Sequence, residues 1–526
     1  MKDTRRAFIL AAGSTAATMS LPREVVRAAD DAARNSKEGL AVDYRAATDL
    51  IALLQTRQVS AVELLDRAIA RIEAHDGKLN AVVVRDFERA RAAAAEADRA
   101  LGRGDRRPLL GVPMTVKECA NVAGLPTTWG IPGTERIPVR DDAVAVARLK
   151  AAGAIVLGKT NVPLMLADWQ SYNSIYGTSN NPWDLGRTPG GSSGGSAAAL
   201  AAGYVSLELG NDIGGSLRVP ANFCGVFAHK PTYGLVPMRG MAPPGAPSLS
   251  VPVPVDLAVA GPMARSAGDL SLMLDVVAGP DDAEALAYRL ALPPPRHTDL
   301  KDFRVLVVDH HPLLPTAGIV RHALDNIADS LAKNGTKVAR VDPLLPDLSL
   351  IGRVYTQLLM AVFGADVPDD IYRQRQSAAA TLPPGDVGLA AMRVRGSVMS
   401  HREWIGTDRI RAGIADRWRR FFREWDVLLC PVMPTPAFAH DHSDISNRRI
   451  AIDGTEILYT DQSMWAGIAT LTGLPATAMP IGRSDEGLPI GMQIIGPYLE
   501  DRTTIAFAEL VEREFGGFVA PPAFRI

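Results

Sequence analysis

Short apolar runs separated by Gly and Pro form the most regular pattern in this chain. They read GVPMTV, GAIVLG, VSLELG, FRVLVV, VLLCPV and PIGMQIIG, and most of them are continuously hydrophobic rather than alternating. Continuous hydrophobicity in short runs is typical of strands that are buried on both faces. Because helical patterns lie between the runs, we predict an α/β protein.

The helical patterns themselves are strongest near the start of the chain. Apolar side chains recur there at helical spacing, namely at Leu50, Leu53, Leu54, Val62, Leu65, Ile69 and Ile72. Such stripes predict amphipathic helices that pack on a core. Residues 298–425 differ in character and carry Arg-rich helical segments such as EWIGTDRIRAGIADRWRRFFREW. Strand-like runs resume at Val427, so we predict a helical insertion at about 298–425 within one domain.

The N-terminal segment TRRAFILAAGSTAATMSL has the layout of an export signal. Arg5 and Arg6 precede an apolar stretch that is too short to span a bilayer and is typical of a signal peptide. The pair resembles a twin-arginine signal, and the tripeptide ending at Ala28 offers a cleavage site. We predict a signal at 1–28, a linker at 29–42 and a bacterial periplasmic or secreted protein with no stable membrane span. An ordinary basic amphipathic helix is the alternative.

Composition and charge narrow the classes of function. The 526 residues are 47% hydrophobic and carry a formal net charge of -2 at pH 7. With no long basic run, the chain lacks the electrostatic footprint of a nucleic-acid-binding protein, so a small-molecule substrate is favoured. Cys119, Cys224 and Cys430 are far apart, and the nine histidines lack ligand spacing. We therefore predict small buried thiols and no metal or other cofactor.

A lysine and a pair of serines stand out against this pattern. Lys117 ends an apolar run, where burial would lower its pKa and turn it into a base. The alternative is a stem that lies on apolar surface while the charge reaches water. The stretch TPGGSSGGSAAALAAG places Ser192 and Ser193 in a Gly-rich loop before an Ala-rich helix. Its composition suits either a flexible linker or a loop kept free of bulk for a substrate.

The segment NDIGGS contains what acyl transfer requires. Gly214 and Gly215 allow backbone geometries that a Cβ forbids, so successive N–H groups can point at one oxyanion while Ser216 attacks. A simple Gly-Gly turn is the alternative. No GxSxG elbow surrounds Ser216, and no histidine stands out as a partner for it, which argues against a Ser-His-Asp triad, whereas Ser-Lys catalysis is a known variant.

Together these motifs resemble the amidase signature family. GGSSGGSAAALAAG followed by LGNDIGGSLRVPANFCGVFAHKPT is similar to that family's signature, as are GVPMTVKECANVAGLPTT, WDVLLCPVMPTPA and GLPIGMQIIGP. The resemblance runs from residue 43 to the C-terminus and is weakest at 298–400. It implies one α/β/α domain over 43–526, with a large mixed β-sheet flanked by helices.

The resemblance also implies a chemistry and a set of roles. Ser216 resembles the nucleophile, Ser192 the serine on a cis peptide bond, and Lys117 the base of a Ser–cis-Ser–Lys triad. The backbone of Ile213, Gly214, Gly215 and Ser216 resembles the oxyanion hole. The implied enzyme is an amidase that converts a carboxylic amide to a carboxylate and ammonia or an amine through a seryl acyl-enzyme.

Several residues near this set are expected to support the loops rather than touch substrate: Thr188, Ser193, Ser196, Asp212 and Arg218. Cys119 would face the side of the lysine only if the strand continued beyond Lys117.

Two other functions and the substrate stay open at this stage. One alternative is the glutamine-dependent amidotransferase, as its ammonia-releasing subunit; the apparent export signal argues against this. The other is a catalytically silent binding member of the family, against which the complete triad argues. Residues 237–254 and 459–465 are candidates for an acyl pocket or for ordinary surface loop, and their composition favours a small apolar or aromatic acyl group. A homodimer is expected because dimers are common in the family.

Overall fold

An eleven-stranded mixed sheet organises the part of the chain that this computed structural model describes, residues 42–246 and 254–525. In chain order the strands are β1 (Val82–Arg85), β2 (Pro113–Lys117), β3 (Ile155–Thr160), β4 (Tyr172–Asn173), β5 (Gly177–Thr178), β6 (Leu207–Asp212), β7 (Phe227–Lys230), β8 (Val259–Ala264), β9 (Arg304–Val307), β10 (Lys337–Ala339), β11 (Val427–Pro431), β12 (Arg449–Ile452), β13 (Thr455–Leu458), β14 (Ala476–Arg483) and β15 (Pro489–Ile495). The predicted signal at 1–28 and residues 29–41 of the predicted linker lie outside the described residues.

The order of the strands mixes parallel and antiparallel neighbours. Across the large sheet it is β1-β3-β2-β6-β8-β7-β14-β15-β11-β9-β10, while β4 with β5 and β12 with β13 form two-stranded ribbons. Strands β3, β2 and β6 run parallel, as do β11, β9 and β10, and the pairs between β6 and β11 are antiparallel. Parallel neighbours end at the same edge of a sheet, which matters below for β2 and β6.

Helices cover the sheet. They are α1 (Ala47–Gln55), α2 (Ala61–Leu79), α3 (Phe87–Gly102), α4 (Val144–Ala151), α5 (Gly194–Ala201), α6 (Arg218–Cys224), α7 (Ala267–Val277), α8 (Gly318–Lys333), α9 (Leu348–Gly364), α10 (Asp369–Thr381), α11 (Leu389–Gly396), α12 (His401–Glu424), α13 (Ser463–Thr470) and α14 (Asp501–Phe515). Ser60 caps α2 and Ser400 caps α12, each in a capping box with the Glu three residues later. No helix among the described residues has the length and hydrophobicity needed to cross a bilayer.

Alternate residues of β9 and β11 belong to two separate hydrophobic cores. In β11, Val427 and Leu429 lie in one core, whereas Leu428 and Cys430 lie in the other. Successive side chains of a strand point to opposite faces, so at β9 and β11 the two cores lie on opposite faces of the sheet. The first core contains the helices from α1 to α8 and α14, and the second contains α9, α12 and α13. The predicted α/β/α architecture is confirmed.

The six apolar runs predicted as buried strands coincide with β2, β3, β6, β9, β11 and β15. The predicted helical insertion at 298–425 is less uniform than its sequence indicates. It contains β9 and β10, which run parallel to β11 and extend the sheet. The stretch that contributes no strand therefore begins after Ala339 and ends before Val427.

Candidate active site

Two parallel strands bring Lys117 to the motif that contains Ser216. Strands β2 and β6 pair with Thr115 opposite Glu208, so their carboxyl ends share one edge of the sheet. Lys117 ends β2, and Asn211 is the penultimate residue of β6. The Lys117 side chain is fully buried, and its Nζ donates to Asn211 Oδ1 at 2.5 Å and to Ser192 Oγ at 2.6 Å.

Burial disfavours the charged form of Lys117. It lowers the pKa of Lys117 from 10.5 to about 8, although the nearby Cys119, Asp212 and Glu208 act in the opposite direction. Strand β2 ends at Lys117, yet the Cys119 thiol still lies behind the site, where its Sγ accepts from Asn211 Nδ2 at 3.5 Å. Burial raises the pKa of Cys119 to about 11, so it stays a thiol at neutral pH.

Ser192 lies in a loop between β5 and α5 that several hydrogen bonds hold in place. The peptide bond from Gly191 to Ser192 is cis. Thr188 Oγ1 accepts from the Gly190 N–H at 3.0 Å and donates to the Trp169 carbonyl at 3.3 Å. Ser171 Oγ donates to the Gly190 carbonyl at 3.1 Å. The Gly-rich stretch is therefore a buried, hydrogen-bonded loop and not a flexible linker.

A backbone hydrogen bond joins this loop to the loop of Ser216. The Ser193 N–H donates to the Ser216 carbonyl at 3.2 Å, and Ser193 Oγ donates to the Asn211 carbonyl at 3.4 Å. Gly215 has a φ of 97°, a left-handed value that favours glycine. The structure thus brings Lys117, Ser192 and the Ser216 loop into one site.

Asp212 and Arg218 form a buried ion pair beneath the Ser216 loop. Asp212 accepts from the N–H groups of Gly215 and Leu217 at 2.9 and 3.1 Å. Arg218 donates to both carboxylate oxygens at 3.0 Å and also reaches the carbonyl of Ala466. Burial alone would raise the pKa of Asp212, but the Arg218 guanidinium outweighs it and holds that pKa below its usual range. These contacts hold the shape of the loop.

Two side chains that sequence reasoning missed hold carbonyl groups of the same loop. Tyr355 OH in α9 donates to the Ile213 carbonyl, and Trp169 Nε1 donates to the Gly214 carbonyl, both at 2.9 Å. Neither residue lies near NDIGGS in the chain, so no local spacing pointed to them. Asn211 was missed as well, although it directly precedes Asp212 in that motif.

A cluster of hydroxyls and a carboxyl lies behind the lysine. Glu208 Oε1 accepts from Thr160 Oγ1 and from Ser196 Oγ, both at 2.8 Å. Burial raises the pKa of Glu208 to about 7. Ser196 therefore binds a side chain of β6 and does not cap α5, the helix in which it lies.

Two aromatic rings and a buried ion pair lie next to the Ser216 loop. The rings of Trp169 and Tyr459 have centroids 5.3 Å apart. Asp168 accepts from Tyr459 OH at 2.7 Å and from Arg448 at 2.8 Å, and neither partner of that ion pair is more than 8% exposed. The predicted pocket segment 459–465 is thus near the site, whereas part of the other, 247–253, lies outside the described residues.

Metal-binding residues are not assembled here. Across residues 42–246 and 254–525, His, Cys, Asp and Glu side chains do not group in threes that could hold a metal ion.

Comparisons with known proteins agree on one family. The family model described as Amidase matches residues 63–505. A glutamyl-tRNA(Gln) amidotransferase subunit of Anaeromyxobacter dehalogenans (strain 2CP-C) is 33% identical over 503 residues, which cover 89% of this chain and 95% of that protein. Fatty-acid amide hydrolase 2-A of Danio rerio is 31% identical over 502 residues, 90% of this chain and 89% of that protein.

A solved structure is similar over the same range. It is described as a vestigial protein complex that reveals the evolutionary origins of an s-triazine catabolic enzyme, and it covers 89% of this chain and 98% of its own, with a TM-score of 0.75 and 30% identity. Sequence match, fold and site geometry therefore agree: the chain belongs to the amidase family, the amidase signature enzymes that act on carbon–nitrogen amide bonds.

Proposed function

We propose that this protein hydrolyses uncharged carboxylic amides, with Ser216 as nucleophile, Ser192 as proton relay and Lys117 as base. One observation carries the proposal. A fully buried lysine with a lowered pKa donates to Ser192 Oγ at 2.6 Å, and the loop of Ser192 is hydrogen-bonded to that of Ser216. Such a pairing of a nucleophile with an adjacent base is the arrangement that activates a hydroxyl.

The first half of the reaction forms an acyl-enzyme. Neutral Lys117 takes the hydroxyl proton of Ser192, and Ser192 takes the proton of Ser216 as Ser216 Oγ attacks the amide carbonyl carbon. The carbonyl oxygen becomes an oxyanion that backbone N–H groups stabilise. When the C–N bond breaks, Ser192 gives a proton to the leaving nitrogen and recovers one from Lys117. Ammonia or an amine departs, and the acyl group stays on Ser216.

The second half repeats these steps with water. Lys117 and Ser192 remove a proton from water as it attacks the acyl carbon, and the resulting oxyanion accepts from the same N–H groups. Collapse of this intermediate breaks the ester bond, and the proton returns to Ser216 through Ser192. The carboxylate product leaves, and the lysine is neutral again.

The surroundings of the loop support an uncharged, apolar acyl group. Trp169, which is partly exposed, offers aromatic surface, and the almost completely buried Tyr459 packs against its ring. The charged neighbour Asp168 is already paired with Arg448 at 2.8 Å. A substrate carboxylate would therefore find Arg448 already paired at this wall, whereas an alkyl or aryl group would bury apolar area.

A panel of amides tests both the substrate class and the role of Ser216. We expect butyramide and benzamide to be hydrolysed with at least about tenfold higher kcat/KM than succinamic acid, which has a carboxylate in place of the terminal methyl group of butyramide. Ammonia release measures each reaction. Ser216→Ala should abolish turnover and labelling by a fluorophosphonate, while Ser443→Ala, on an exposed turn, should leave both unchanged. Near-normal hydrolysis by Ser216→Ala would end the proposal.

A second candidate function comes from the relatives. One of them, at 33% identity, is a glutamyl-tRNA(Gln) amidotransferase subunit, so release of ammonia from glutamine belongs on the same panel. If glutamine were the preferred substrate and the activity depended on a co-purifying protein, the amidotransferase function would replace amide hydrolysis as the favoured one.

We also propose export through the twin-arginine pathway, on the strength of the segment that contains Arg5 and Arg6. Expression in a bacterial host should give periplasmic protein whose first residue is Ala29, and replacing both arginines by lysine should keep the chain in the cytoplasm. Periplasmic protein that still begins at Met1 would contradict this. The homodimer stays a prediction, which light scattering of the purified enzyme tests.

A further inference from the structure

The carbonyl groups of the Ser216 loop are all occupied. Tyr355 OH donates to the carbonyl of Ile213 and Trp169 Nε1 to that of Gly214. The carbonyl of Gly215 accepts from the Val219 N–H at 2.7 Å, in the first turn of α6. Three consecutive peptide units are therefore each held by a donor from a different part of the chain.

The N–H groups of these peptide units divide into two kinds. That of Gly215 donates to Asp212 Oδ1 at 2.9 Å, so this peptide unit is held at both ends. Within the described residues, the N–H groups of Gly214 and Ser216 have no acceptor. In a planar trans peptide the N–H points away from the C=O of the same unit. A donor on the carbonyl side therefore turns the N–H toward the opposite side.

We propose that Trp169 and Tyr355 are positioning residues of the oxyanion hole, and that the hole includes the N–H groups of Gly214 and Ser216 and excludes that of Gly215. This inference rests on the proposed function and deepens it. Tyr355 acts on Gly214 directly, because the Ile213 carbonyl and the Gly214 N–H share one peptide unit. Trp169 acts on the next unit, whose orientation determines where the units on either side lie.

Both side chains are themselves fixed. Tyr355 is fully buried in α9, and burial raises the pKa of its hydroxyl, so it remains a donor across the pH range of activity. The Trp169 carbonyl accepts from Thr188 Oγ1 at 3.3 Å, which connects the segment of Trp169 to the loop of Ser192. The tryptophan thus touches the oxyanion loop through its ring and the Ser192 loop through its backbone.

Two substitutions remove the donors and keep the rings. Trp169→Phe loses the indole N–H, and Tyr355→Phe loses the hydroxyl. Loss of one direct oxyanion donor costs about 100- to 1000-fold in kcat, so a misdirected donor should cost less. We expect each variant to lower kcat about tenfold, with KM changed less than about twofold, and to slow fluorophosphonate labelling of Ser216 by a similar factor. The phosphonyl oxygen of this probe occupies the same hole, so the labelling rate does not depend on the identity of the substrate.

The chain offers a matched control for each variant. Trp183 Nε1 donates to the Cys224 carbonyl at 3.0 Å, and Tyr233 OH donates to the Val255 carbonyl at 3.3 Å. Trp183→Phe and Tyr233→Phe remove the same kinds of hydrogen bond elsewhere and should leave kcat and the labelling rate at the wild-type level. In all four variants the midpoint of the pH–rate profile should stay with that of the wild type, because Lys117 and its contacts are intact.

The results of these experiments distinguish failure of this inference from failure of the proposed function. The inference would be overturned if Trp169→Phe and Tyr355→Phe reacted with the probe and turned over substrate as fast as the wild type. An increase in KM with unchanged kcat would overturn it as well. Equal losses in the two control variants would also overturn it, since general weakening of the fold would then explain the effect. The proposed function fails separately, if Ser216→Ala remains active.

Discussion

Replacing Asn211 by Asp tests the assignment of Lys117 as the base. The Asn211 side-chain oxygen accepts from Lys117 Nζ at 2.5 Å, and the substitution places a carboxylate there with almost no change in shape. An opposite charge at contact distance favours the ammonium form, so the pKa of Lys117 should rise. The neutral lysine starts the reaction, and its population at a given pH should fall accordingly.

The size of the effect follows from the wild-type site. A pKa lowered from 10.5 to about 8 corresponds to about 3 kcal/mol against the ammonium form. At pH 7 about one lysine in ten is then neutral, compared with about one in three thousand at the ordinary pKa. A new carboxylate raises a lysine pKa by about 1–3. The kcat/KM of Asn211→Asp at pH 7 should therefore fall at least about tenfold, and much of the loss should disappear by pH 10.

The assay is kcat/KM for benzamide, or for the fastest amide of the panel, from pH 6 to 10. The wild type should rise about tenfold between pH 7 and 9 with a midpoint near pH 8, and Asn211→Asp should have its midpoint above about pH 9. Asn222→Asp is the control, because that buried side chain accepts from the Gly491 N–H and does not contact the lysine. A profile of Asn211→Asp with the wild-type midpoint would refute Lys117 as the base.

Two further predictions concern stability. Arg218→Met leaves the Asp212 carboxylate buried without its cation and should lower the free energy of unfolding by about 3–5 kcal/mol in urea denaturation, whereas an unchanged midpoint would show that the pair does not hold the loop. Gly195→Ala would place a Cβ 2.4 Å from the backbone nitrogen of Asn161 and should destabilise the protein. Gly413→Ala meets open space in α12 and should stabilise the protein by up to about 1 kcal/mol. Equal melting temperatures for the two variants would contradict this packing.

The strands and the Ser- and Lys-containing motifs could be predicted from the sequence because their signals are local. An interior strand such as β11 is buried along its whole length, and its run of apolar residues is unbroken. The edge strand β10 has three residues, of which Lys337 is exposed, and no hydrophobic pattern distinguishes it from a loop. Its place in the sheet depends on pairing with β9, which lies about thirty residues earlier.

The contacts that complete the site are not local and could not be predicted. Trp169 is 45 residues from Gly214, and Tyr355 is 142 residues from Ile213. Each is an ordinary aromatic residue in its own segment, and only the folded chain places its polar atom on a carbonyl of the loop. Asn211 is different: it is adjacent to the motif, but its contact with Lys117 depends on the parallel pairing of β2 with β6.

The partners of Arg218 determine when during synthesis this enzyme can become active. The guanidinium binds Ala466, Thr470 and Gln493, which follow it by 248, 252 and 275 positions. A nascent chain therefore contains its lysine and both serines long before the residues that complete the shell of Arg218 have left the ribosome. Long-range contacts of this kind form late, so a chain that stops short of Gln493 has every catalytic side chain and an unfinished active site.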